Sequence, residues 1–484
     1  MMIYPQTDFA RSTPEAQGIS SRAIEKMLLD IRDTGADIHS MLIMRRGHLV
    51  FEQYFAPYTA ETKHSMFSCS KTFTSMLIGI AQDKGLISVH DHVLDFFPDV
   101  EIASVNDNLR AMTIENLLEM GSGHAQDTFG AMLQTENDKD ADWVKIFLNR
   151  PVDEEPGTHF VYNTGATYML SAILTRVTGK SALELANEWI FGAIGIKDAE
   201  WATCPRGVNQ GGTGLRITPR DMLRMGTLLL GRGRWKNKQL ISNDYICAAQ
   251  QKHIDNANPD DPDQDPNWAA GYGYQVWKNS FGGFRADGMG GQFIVVLPER
   301  EMVVVFTSAL GGDLSIGYPL KLIEKYLLPA TFDLPQVYGE EAAQSLKRTS
   351  EEFSRPAFLP IADEAKGFPF GAKFALPENP LRLEKISVYE RYLTLTVAGE
   401  GGFVPYAWGE PALSPDPQLA PAGWTRYART AAVAQWKDDA LEIRVNYIGE
   451  PLTVYIRFER QGDEMTVSVK GTLGGNASAA ATLK

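Results

Sequence analysis

Residues 64–85, "HSMFSCSKTFTSMLIGIAQDKG", place several serines and one lysine directly before an apolar run. The run is apolar on most of a helical circumference, through Phe73, Met76, Leu77, Ile78 and Ile80. A helix of that kind is predicted to be the buried central helix of a larger domain. Lysine is rarely buried without a partner, so Lys71 at the start of such a helix needs a specific role.

Ser68 and Lys71 are spaced to share one helix face, with Cβ atoms about 5–6 Å apart. A serine hydroxyl is a weak nucleophile unless a base lies within hydrogen-bond reach. Burial disfavours the ammonium form of lysine and lowers its pKa, so that Lys71 could be that base. At the first helical turn the backbone N–H of Ser68 is unpaired and could stabilise an oxyanion.

The S-x-x-K pattern alone leaves an alternative open, since four-residue matches occur by chance. Ser68 could be a capping residue, and Lys71 could extend its ammonium to solvent. Ser65 and Ser70 are interpreted as residues of that structural kind. The buried character of the helix favours the catalytic interpretation, because a lysine at its start is not freely solvated.

Composition narrows the class of protein. The chain has 484 residues, of which 44% are hydrophobic and 22% charged, which predicts two or three globular domains. A net charge of -14 leaves no basic surface for nucleic acid or anionic lipid, so neither is expected as a partner. Residues 1–21 lack a secretory pattern and no window has the ~18 apolar residues of a membrane span, which predicts a cytoplasmic location.

Cofactor and metal signals are weak, and we expect neither. The three cysteines are odd in number and far apart, which argues against a disulfide framework or a metal site (Cys69, Cys204 and Cys247). Cys69 is interpreted as a packed residue. Residues 261–266 open like a calcium loop but place Pro266 where glycine is required, so a solvated loop is predicted. His90 and His92 have no matching ligand pair and are predicted on the surface.

The order of segments predicts one α/β domain over residues 1–330. Residues 39–56 have the pattern of a β-hairpin turning near Gly47, and three late strands are predicted at 271–278, 291–298 and 301–308. Residues 68–250 are mostly helical in period, with apolar residues at helical spacing in 166–191 and 218–233 and helix ends predicted at Gly179 and Gly231. If the hairpin and late strands share one antiparallel sheet, the helices form an insertion, and a cleft is expected where they meet the sheet.

The C-terminal third of the chain differs from the rest in composition and in hydrophobic pattern. Residues 331–365 are rich in proline and acids and predict a linker. Residues 366–484 consist of short alternating runs broken by Gly, Pro and Asp. That spacing predicts a separate β-rich domain, either a barrel or a sandwich.

Several segments in order resemble the serine β-lactamase-related family: residues 67–99, 112–123, 154–181, 211–233 and 287–305. That superfamily includes class C β-lactamases, penicillin-binding proteins, family VIII esterases, D-amino-acid peptidases and 6-aminohexanoate-dimer hydrolase. The resemblance spans about residues 15–330. It implies a β-lactamase/transpeptidase-like α+β domain, in which an antiparallel sheet is flanked by helices beside an all-α region, which agrees with the predicted insertion.

The resemblance also implies roles for individual residues. Ser68 matches the acylated nucleophile and Lys71 the lysine that helps to deprotonate it. Tyr162, in "FVYNTG", matches the tyrosine that passes a proton to the leaving group. The backbone N–H groups of Ser68 and Met289 correspond to the oxyanion donors.

The chain departs from the family pattern in two places. Asn stands second in Tyr162-Asn163-Thr164, a form closer to the esterase and 6-aminohexanoate-dimer hydrolase branches. Ala286-Asp287-Gly288 replaces the usual Lys-Thr-Gly, whose lysine helps to bind a substrate carboxylate. Because an acid would repel that carboxylate, neutral esters or amine-bearing amides are expected, with Asn163, Asp287 and Gly288 lining the substrate pocket.

The resulting hypothesis is a metal-free serine hydrolase that cleaves a small-molecule ester or amide through an acyl-enzyme on Ser68. No G-x-S-x-G elbow is present, which argues against an α/β-hydrolase. Two alternatives remain open: a catalytically silent module that captures a ligand, and a true β-lactamase or D-peptidase. Homo-oligomerisation is also left open.

Overall fold

The computed structural model describes residues 4, 8–311, 314–336, 339–354, 368–421 and 427–482. By the density of its contacts the chain divides into two compact units. The first comprises the residues up to Thr13 together with Leu42–Phe51 and Ser65–Val305. The second comprises Pro14–Met41, Glu52–His64 and the chain from Phe306 onward. The domain boundaries inferred from the sequence remain predictions.

The described residues include α-helices α1 to α13: Ser21–Thr34, Cys69–Asp83, Asp107–Ala111, Ile114–Leu118, Phe129–Leu133, Trp143–Leu148, Thr164–Thr178, Ala182–Ala186, Gly192–Ile194, Pro219–Leu230, Asn243–Ala249, Tyr318–Leu322 and Glu340–Phe353. Two π-helical turns, Asn187–Phe191 and Ile323–Leu327, continue α8 and α12. Across these described ranges, none of the helices has both the length and the apolar character needed to cross a bilayer.

The strands are numbered β1 to β25: Ala10–Arg11, Ile38–Arg45, His48–Tyr54, His64–Ser65, Glu200–Trp201, Leu215–Ile217, Arg234–Trp235, Lys238–Gln239, Trp277–Lys278, Phe284–Gly288, Gln292–Leu297, Met302–Ser308, Lys373–Ala375, Leu383–Val388, Tyr392–Val397, Glu400–Pro405, Ala407–Trp408, Ala412–Leu413, Gln418–Leu419, Tyr427–Ala428, Thr430–Lys437, Ala440–Tyr447, Leu452–Gln461, Glu464–Gly471 and Asn476–Thr482.

A seven-stranded sheet has the order β1-β3-β2-β12-β11-β10-β9. The predicted hairpin is confirmed, and Arg46 and Gly47 form its turn with φ of 52° and 78°. The late strands at 291–298 and 301–308 are confirmed as β11 and β12. They lie in the same sheet as the hairpin, which is the arrangement on which the expected cleft depends.

The strand predicted at 271–278 is wrong for most of its length, because only Trp277–Lys278 pairs as β9. Gln275 has a φ of 59°, and its backbone N–H and side-chain amide both donate to the carbonyl oxygen of Leu118. These bonds hold the segment out of a β ladder. The adjacent strand of the sheet is instead Phe284–Gly288, β10, which contains the Ala286-Asp287-Gly288 match to the family but was not among the strands predicted from periodicity.

Helix α2 is the buried central helix predicted from the opening stretch, since Cys69 through Ala81 are all buried. The ring of Tyr245 packs so closely on it that a Cβ at Gly79 would lie 2.4 Å from the ring. The helix end predicted at Gly179 is confirmed, because Gly179 adopts φ 71° and ends α7. The helix predicted at 218–233 is confirmed as α10.

The described C-terminal β region contains two large open sheets, one of four strands (β13 to β16) and one of seven strands, and a two-stranded sheet of β19 and β20. Buried residues of both sheets form one hydrophobic cluster, so the sheets pack face to face. Within residues 368–421 and 427–482 the strands do not close into a barrel. The sandwich alternative is therefore the one observed, and the barrel alternative is wrong.

Part of the segment predicted as a linker is helical. Glu340–Phe353 forms α13, which packs against α1 within the second unit. Its apolar residues recur at helical spacing, and Leu346 among them is buried. The many acids and the neighbouring prolines made this helical spacing hard to recognise in the sequence. Residues 355–367 lie outside the described residues.

Candidate active site

Ser68 lies immediately before α2 and serves as its N-cap. The chain enters this position from Met66, whose N–H donates to the carbonyl oxygen of Leu215 at 2.8 Å. The intervening Phe67 is buried and has a φ of 45°, a left-handed conformation that costs a bulky L-residue about 1–2 kcal/mol. This strained residue fixes the direction in which Ser68 leaves the loop.

Lys71 is 1% exposed, and its ammonium has three hydrogen-bond partners. Nζ lies 3.1 Å from Ser68 Oγ, 3.2 Å from Thr164 Oγ1 and 2.9 Å from the carbonyl oxygen of Gly212. Burial lowers the pKa of Lys71 to about 7, against the opposing charges of Asp127 and Asp287. A substantial neutral fraction therefore exists at neutral pH, within hydrogen-bond distance of the serine hydroxyl.

Thr164 and Gly212 complete the surroundings of Lys71, and the sequence analysis assigned neither a role. Thr164 is the first residue of α7, and Gly212 belongs to the loop before β6. A Cβ at Gly212 would lie 2.8 Å from Thr164 Cγ2 and 3.0 Å from the Thr164 carbonyl oxygen. The glycine lets the loop approach α7 closely enough for its carbonyl to accept a hydrogen bond from Lys71.

Tyr162 lies beside Ser68 and Lys71. Lys71 Nζ lies 4.8 Å from the centre of its ring. Burial raises the pKa of Tyr162 well above 10, and a side-chain hydrogen bond with Ser68 opposes this effect. The phenol is therefore protonated at neutral pH, which suits a proton donor rather than a base.

An aromatic surface continues from Tyr162. The rings of Trp277, Phe160 and Tyr272 lie 5.5, 6.5 and 6.4 Å from the ring of Tyr162, measured between centres. Phe160 and Trp277 are half-buried, whereas Tyr272 is buried. This surface offers an apolar environment beside Ser68 for part of a substrate.

The two residues predicted as oxyanion donors lie on segments that meet. A Cβ at Gly288 would lie 2.3 Å from the carbonyl oxygen of Met66 and 3.3 Å from the backbone nitrogen of Cys69. Strand β10 therefore ends directly against the start of α2. Within the described part of the chain, the backbone N–H groups of Ser68 and Met289 donate no hydrogen bond. Both remain available to an oxyanion, whose stabilisation requires donors that are already in place before the reaction.

Asp287 is buried but is not an isolated negative charge. Its Oδ2 accepts a hydrogen bond from Arg285 Nε at 2.9 Å, and Arg285 is fully buried. Burial raises the pKa of Asp287, while Arg285 and Lys71 oppose this shift. The Arg285 guanidinium therefore balances the charge of Asp287 and weakens the predicted repulsion of substrate carboxylates, and the expected substrate class stays a prediction.

Arg285 is a further residue near the site that the sequence analysis missed. Its Nη1 donates to the Lys278 carbonyl and to Asn279 Oδ1, each at 3.0 Å, and its guanidinium lies 4.7 Å from the centre of the Trp268 ring. Alternation along β10 places Arg285 and Asp287 on one face. Recognising β10 from its sequence would have revealed the pair.

Asn163 lies inside the protein rather than on a pocket wall. It is fully buried and caps α7. Its Oδ1 accepts hydrogen bonds from Thr128 N, Thr128 Oγ1 and Gly165 N at 3.1, 2.9 and 3.0 Å. Its side chain therefore positions the residue after Tyr162 and fixes the loop before α5, a role different from the predicted contact with substrate.

The remaining candidate residues lie apart from this chemistry. Cys69 is buried and donates to the Gln292 carbonyl at 3.2 Å, and burial raises the pKa of its thiol. His90 and His92 are exposed, as the sequence predicts, and His90 lies beside Glu115. No group of three or more His, Cys, Asp or Glu side chains arranged to hold a metal ion occurs in the ranges that the structure describes.

The sheet, the central helix α2 and the Ser68, Lys71 and Tyr162 arrangement together define a β-lactamase/transpeptidase-like fold with a β-rich C-terminal region. The family model described as Beta-lactamase matches residues 33–315, more than half of the 484 residues. The chain belongs to the beta-lactamase family. The resemblance stated from its motifs is thereby confirmed.

Similarity to individual proteins agrees with this assignment. The chain is 22% identical over 284 residues to the 6-aminohexanoate-dimer hydrolase of Paenarthrobacter ureafaciens, covering 56% of this chain and 72% of that protein. The octameric penicillin-binding protein homologue from Pyrococcus abyssi matches with a TM-score of 0.50 and 15% identity, over 94% of this chain and 99% of that chain.

EstCE1, described as a hydrolase with promiscuous acyltransferase activity, matches with a TM-score of 0.50 and 16% identity, over 63% of this chain and 98% of that chain. At such identities the two structural likenesses concern the fold alone. The curated relative and EstCE1 are both hydrolases by their names.

Proposed function

We propose that this protein is a serine hydrolase that cleaves a small-molecule ester or amide through an acyl-enzyme on Ser68. The observation that carries the proposal is the buried Lys71, whose Nζ lies 3.1 Å from Ser68 Oγ and whose pKa burial lowers to about 7. Burying a lysine so that it is partly neutral lowers the stability of the fold. A residue kept at that cost indicates a function, and here the function is that of a base.

The geometry supports a role for each group in acylation. Neutral Lys71 takes the proton of Ser68 Oγ as that oxygen attacks the substrate carbonyl carbon. The resulting oxyanion accepts hydrogen bonds from the N–H groups of Ser68 and Met289. Tyr162 donates its phenolic proton to the leaving oxygen or nitrogen as the carbon bond breaks, and protonated Lys71 restores that proton.

Deacylation reverses these roles with water as the nucleophile. Water loses a proton towards Tyr162 and Lys71 as it attacks the acyl carbon, and Ser68 Oγ leaves with a proton. The cycle uses side chains that are already in contact, and needs no group from outside the first unit. The aromatic surface of Phe160, Tyr162 and Trp277 supports an apolar acyl or leaving group.

Two observations support an ester or amide substrate. The matched relatives include a hydrolase of 6-aminohexanoate dimers, and the Tyr162-Asn163-Thr164 form resembles the same branch. The catalytic groups themselves favour acyl transfer, since a serine, a base and two backbone N–H donors are the parts that this reaction requires.

The test is hydrolysis of p-nitrophenyl esters with C2 to C8 acyl chains by three proteins: wild type, Ser68→Ala and Ser65→Ala. Ser65 is a matched control, because it is a serine three residues earlier, in β4, and the sequence analysis interprets it as a structural residue. We expect turnover by wild type and Ser65→Ala and none by Ser68→Ala. Intact mass should show an acyl adduct that Ser68→Ala lacks.

Turnover that persists in Ser68→Ala contradicts the proposal. A stable adduct without turnover favours an acylated sensor or a very different leaving group, and absence of both favours the catalytically silent module that captures a ligand.

A second candidate activity, on β-lactams or D-peptides, gains support from Arg285. Substrates of that class carry a carboxylate, and the Arg285 guanidinium balances the charge of Asp287. Nitrocefin hydrolysis measured beside the ester series decides between the two. A nitrocefin kcat/KM above that of every ester would favour the second candidate.

A further inference from the structure

A groove of about 1000 Å³ lies on the C-terminal sandwich, wholly within the second unit. Its floor is formed by strands β21 to β25 of the seven-stranded sheet, and residues 377–379 and Gly35 line its margin. Ile443, Ile456 and Val469 of these strands face the hydrophobic cluster between the sheets. Alternation therefore places their neighbours, which line the groove, on the opposite face.

The strand register aligns the side chains of the floor in two rows that cross five strands. The first row contains Val433, Arg444, Tyr455, Lys470 and Asn476. The second row contains Gln435, Glu442, Arg457, Ser468 and Ser478. Residues opposite each other on neighbouring strands are within side-chain contact distance, so each row acts as a continuous strip.

The charges of the second row are satisfied internally. Arg457 Nη1 donates to Glu442 Oε1 at 2.5 Å, and Arg457 Nε donates to Glu459 Oε1 at 2.7 Å. Gln435 Nε2 donates to the other oxygen of Glu442 at 2.7 Å. This strip therefore offers neutral hydrogen-bonding groups and little net charge.

The first row has a different character. Tyr455 is 37% exposed and stands between two cations, Arg444 and Lys470. The Arg444 guanidinium lies 6.0 Å from the centre of the Tyr455 ring. Arg444 Nη2 donates to Asp37 Oδ1 at 2.6 Å, but its Nε is buried and, among the described residues, has no hydrogen-bond partner. An exposed aromatic ring flanked by donors of positive charge fits a ligand that is both apolar and anionic.

The charge of the groove contrasts with that of the chain. The groove is lined by four cations and two acids: Lys437, Arg444, Arg457, Lys470, Glu378 and Glu442. The chain as a whole has a net charge of -14. Arg457 is balanced by Glu442 and Glu459, and Arg444 is paired with Asp37, so the attraction of this surface for an anion comes from the positions of Arg444 and Lys470 on either side of Tyr455 rather than from a surplus of charge.

We propose that this groove is a second ligand site, which binds an organic monocarboxylate whose flat apolar body stacks on Tyr455 and whose carboxylate pairs with Arg444 and Lys470. A volume of about 1000 Å³ accommodates such a molecule. The site is separate from Ser68 and does not depend on the proposed catalytic activity.

The test is calorimetric titration of the full-length Ser68→Ala protein with 4-phenylbutyrate and with the neutral 4-phenylbutyramide. We expect the carboxylate to bind about tenfold more tightly than the amide, because only the carboxylate pairs with the cations. Equal affinities, or no heat with the carboxylate, would overturn the proposal.

Substitutions in the groove test whether 4-phenylbutyrate binds there. Tyr455→Ala is expected to weaken 4-phenylbutyrate about 3–10-fold and Lys470→Gln about 2–5-fold. Tyr455→Phe keeps the ring and should retain the affinity, which separates stacking from a loss of folding. Lys373→Gln, on an exposed position of the other sheet, is the matched control and should have no effect. Binding that survives both Tyr455→Ala and Lys470→Gln lies elsewhere and refutes the assignment.

Discussion

Lys71→Met should make the protein more stable near neutral pH while it removes activity. The lysine has a pKa of 10.5 in an unfolded chain, and burial lowers it to about 7 in the native state. Between these two values the unfolded chain binds one proton that the native chain does not. Wild-type stability therefore rises with pH across this window, whereas methionine at position 71 contributes no such dependence.

The magnitude follows from the two pKa values. At 1.36 kcal/mol for each unit of pKa, burying Lys71 costs the wild type about 4–5 kcal/mol at pH 7 and below. At pH 9.5 the same cost falls to about 1.5 kcal/mol. The substitution also leaves the Gly212 carbonyl and Thr164 Oγ1 without their donor, a pH-independent loss of about 1–3 kcal/mol. The net gain at pH 7 is therefore about 1–4 kcal/mol.

The assay is urea unfolding of wild type and Lys71→Met at pH 7.0, 8.0, 9.0 and 9.5, followed by tryptophan fluorescence. The difference in unfolding free energy between the two proteins should fall by about 3 kcal/mol from pH 7 to 9.5. Tyrosines and other groups that titrate in both proteins cancel in this difference. A difference that stays constant to within about 0.5 kcal/mol would refute the lowered pKa of Lys71, and with it the reason for calling it a base.

Further predictions concern catalysis and the buried ion pair. The kcat/KM for an ester substrate should rise with pH through an apparent pKa near 7, as Lys71 loses its proton, and a flat profile from pH 5.5 to 8.5 would contradict this. Arg285→Gln should destabilise the protein by about 3–5 kcal/mol by leaving Asp287 buried and unpaired. Adding Asp287→Asn should recover most of that loss, and a double variant as unstable as the single one would exclude the ion pair as the cause. Gly288→Ala should lower kcat/KM about 100-fold, because its methyl group would lie 2.3 Å from the Met66 carbonyl oxygen, and near wild-type kinetics would show that this approach is not needed.

Features that depend on neighbouring residues could be predicted from the sequence. The apolar circumference of α2, the Gly179 helix end and the hairpin turn at Gly47 follow from periodicity and from glycine's access to positive φ. The proximity of Ser68 and Lys71 belongs to the same group, because three residues of helix bring their side chains together.

Features that depend on residues far apart in the chain could not be predicted from the sequence. The ammonium of Lys71 is held by the carbonyl of Gly212, which lies 141 residues away, and no local pattern links the two. Asp287 looked like an isolated acid until β10 placed Arg285 on the same face. Helix α13 was not predicted, because its acids and the prolines around it are typical of a linker. Its stability comes from packing on α1, which the local sequence does not specify.

The sequence by itself determined the family and the central helix and indicated the candidate serine, lysine and tyrosine, because each is encoded in a short segment of fixed spacing. The tertiary structure alone decided the chemical state of those residues. A lysine becomes a base at neutral pH only when packing removes water from its ammonium. The charge of a buried aspartate is balanced only when a cation such as a guanidinium lies beside it. Both depend on what surrounds a group in space, which spacing along the chain does not specify.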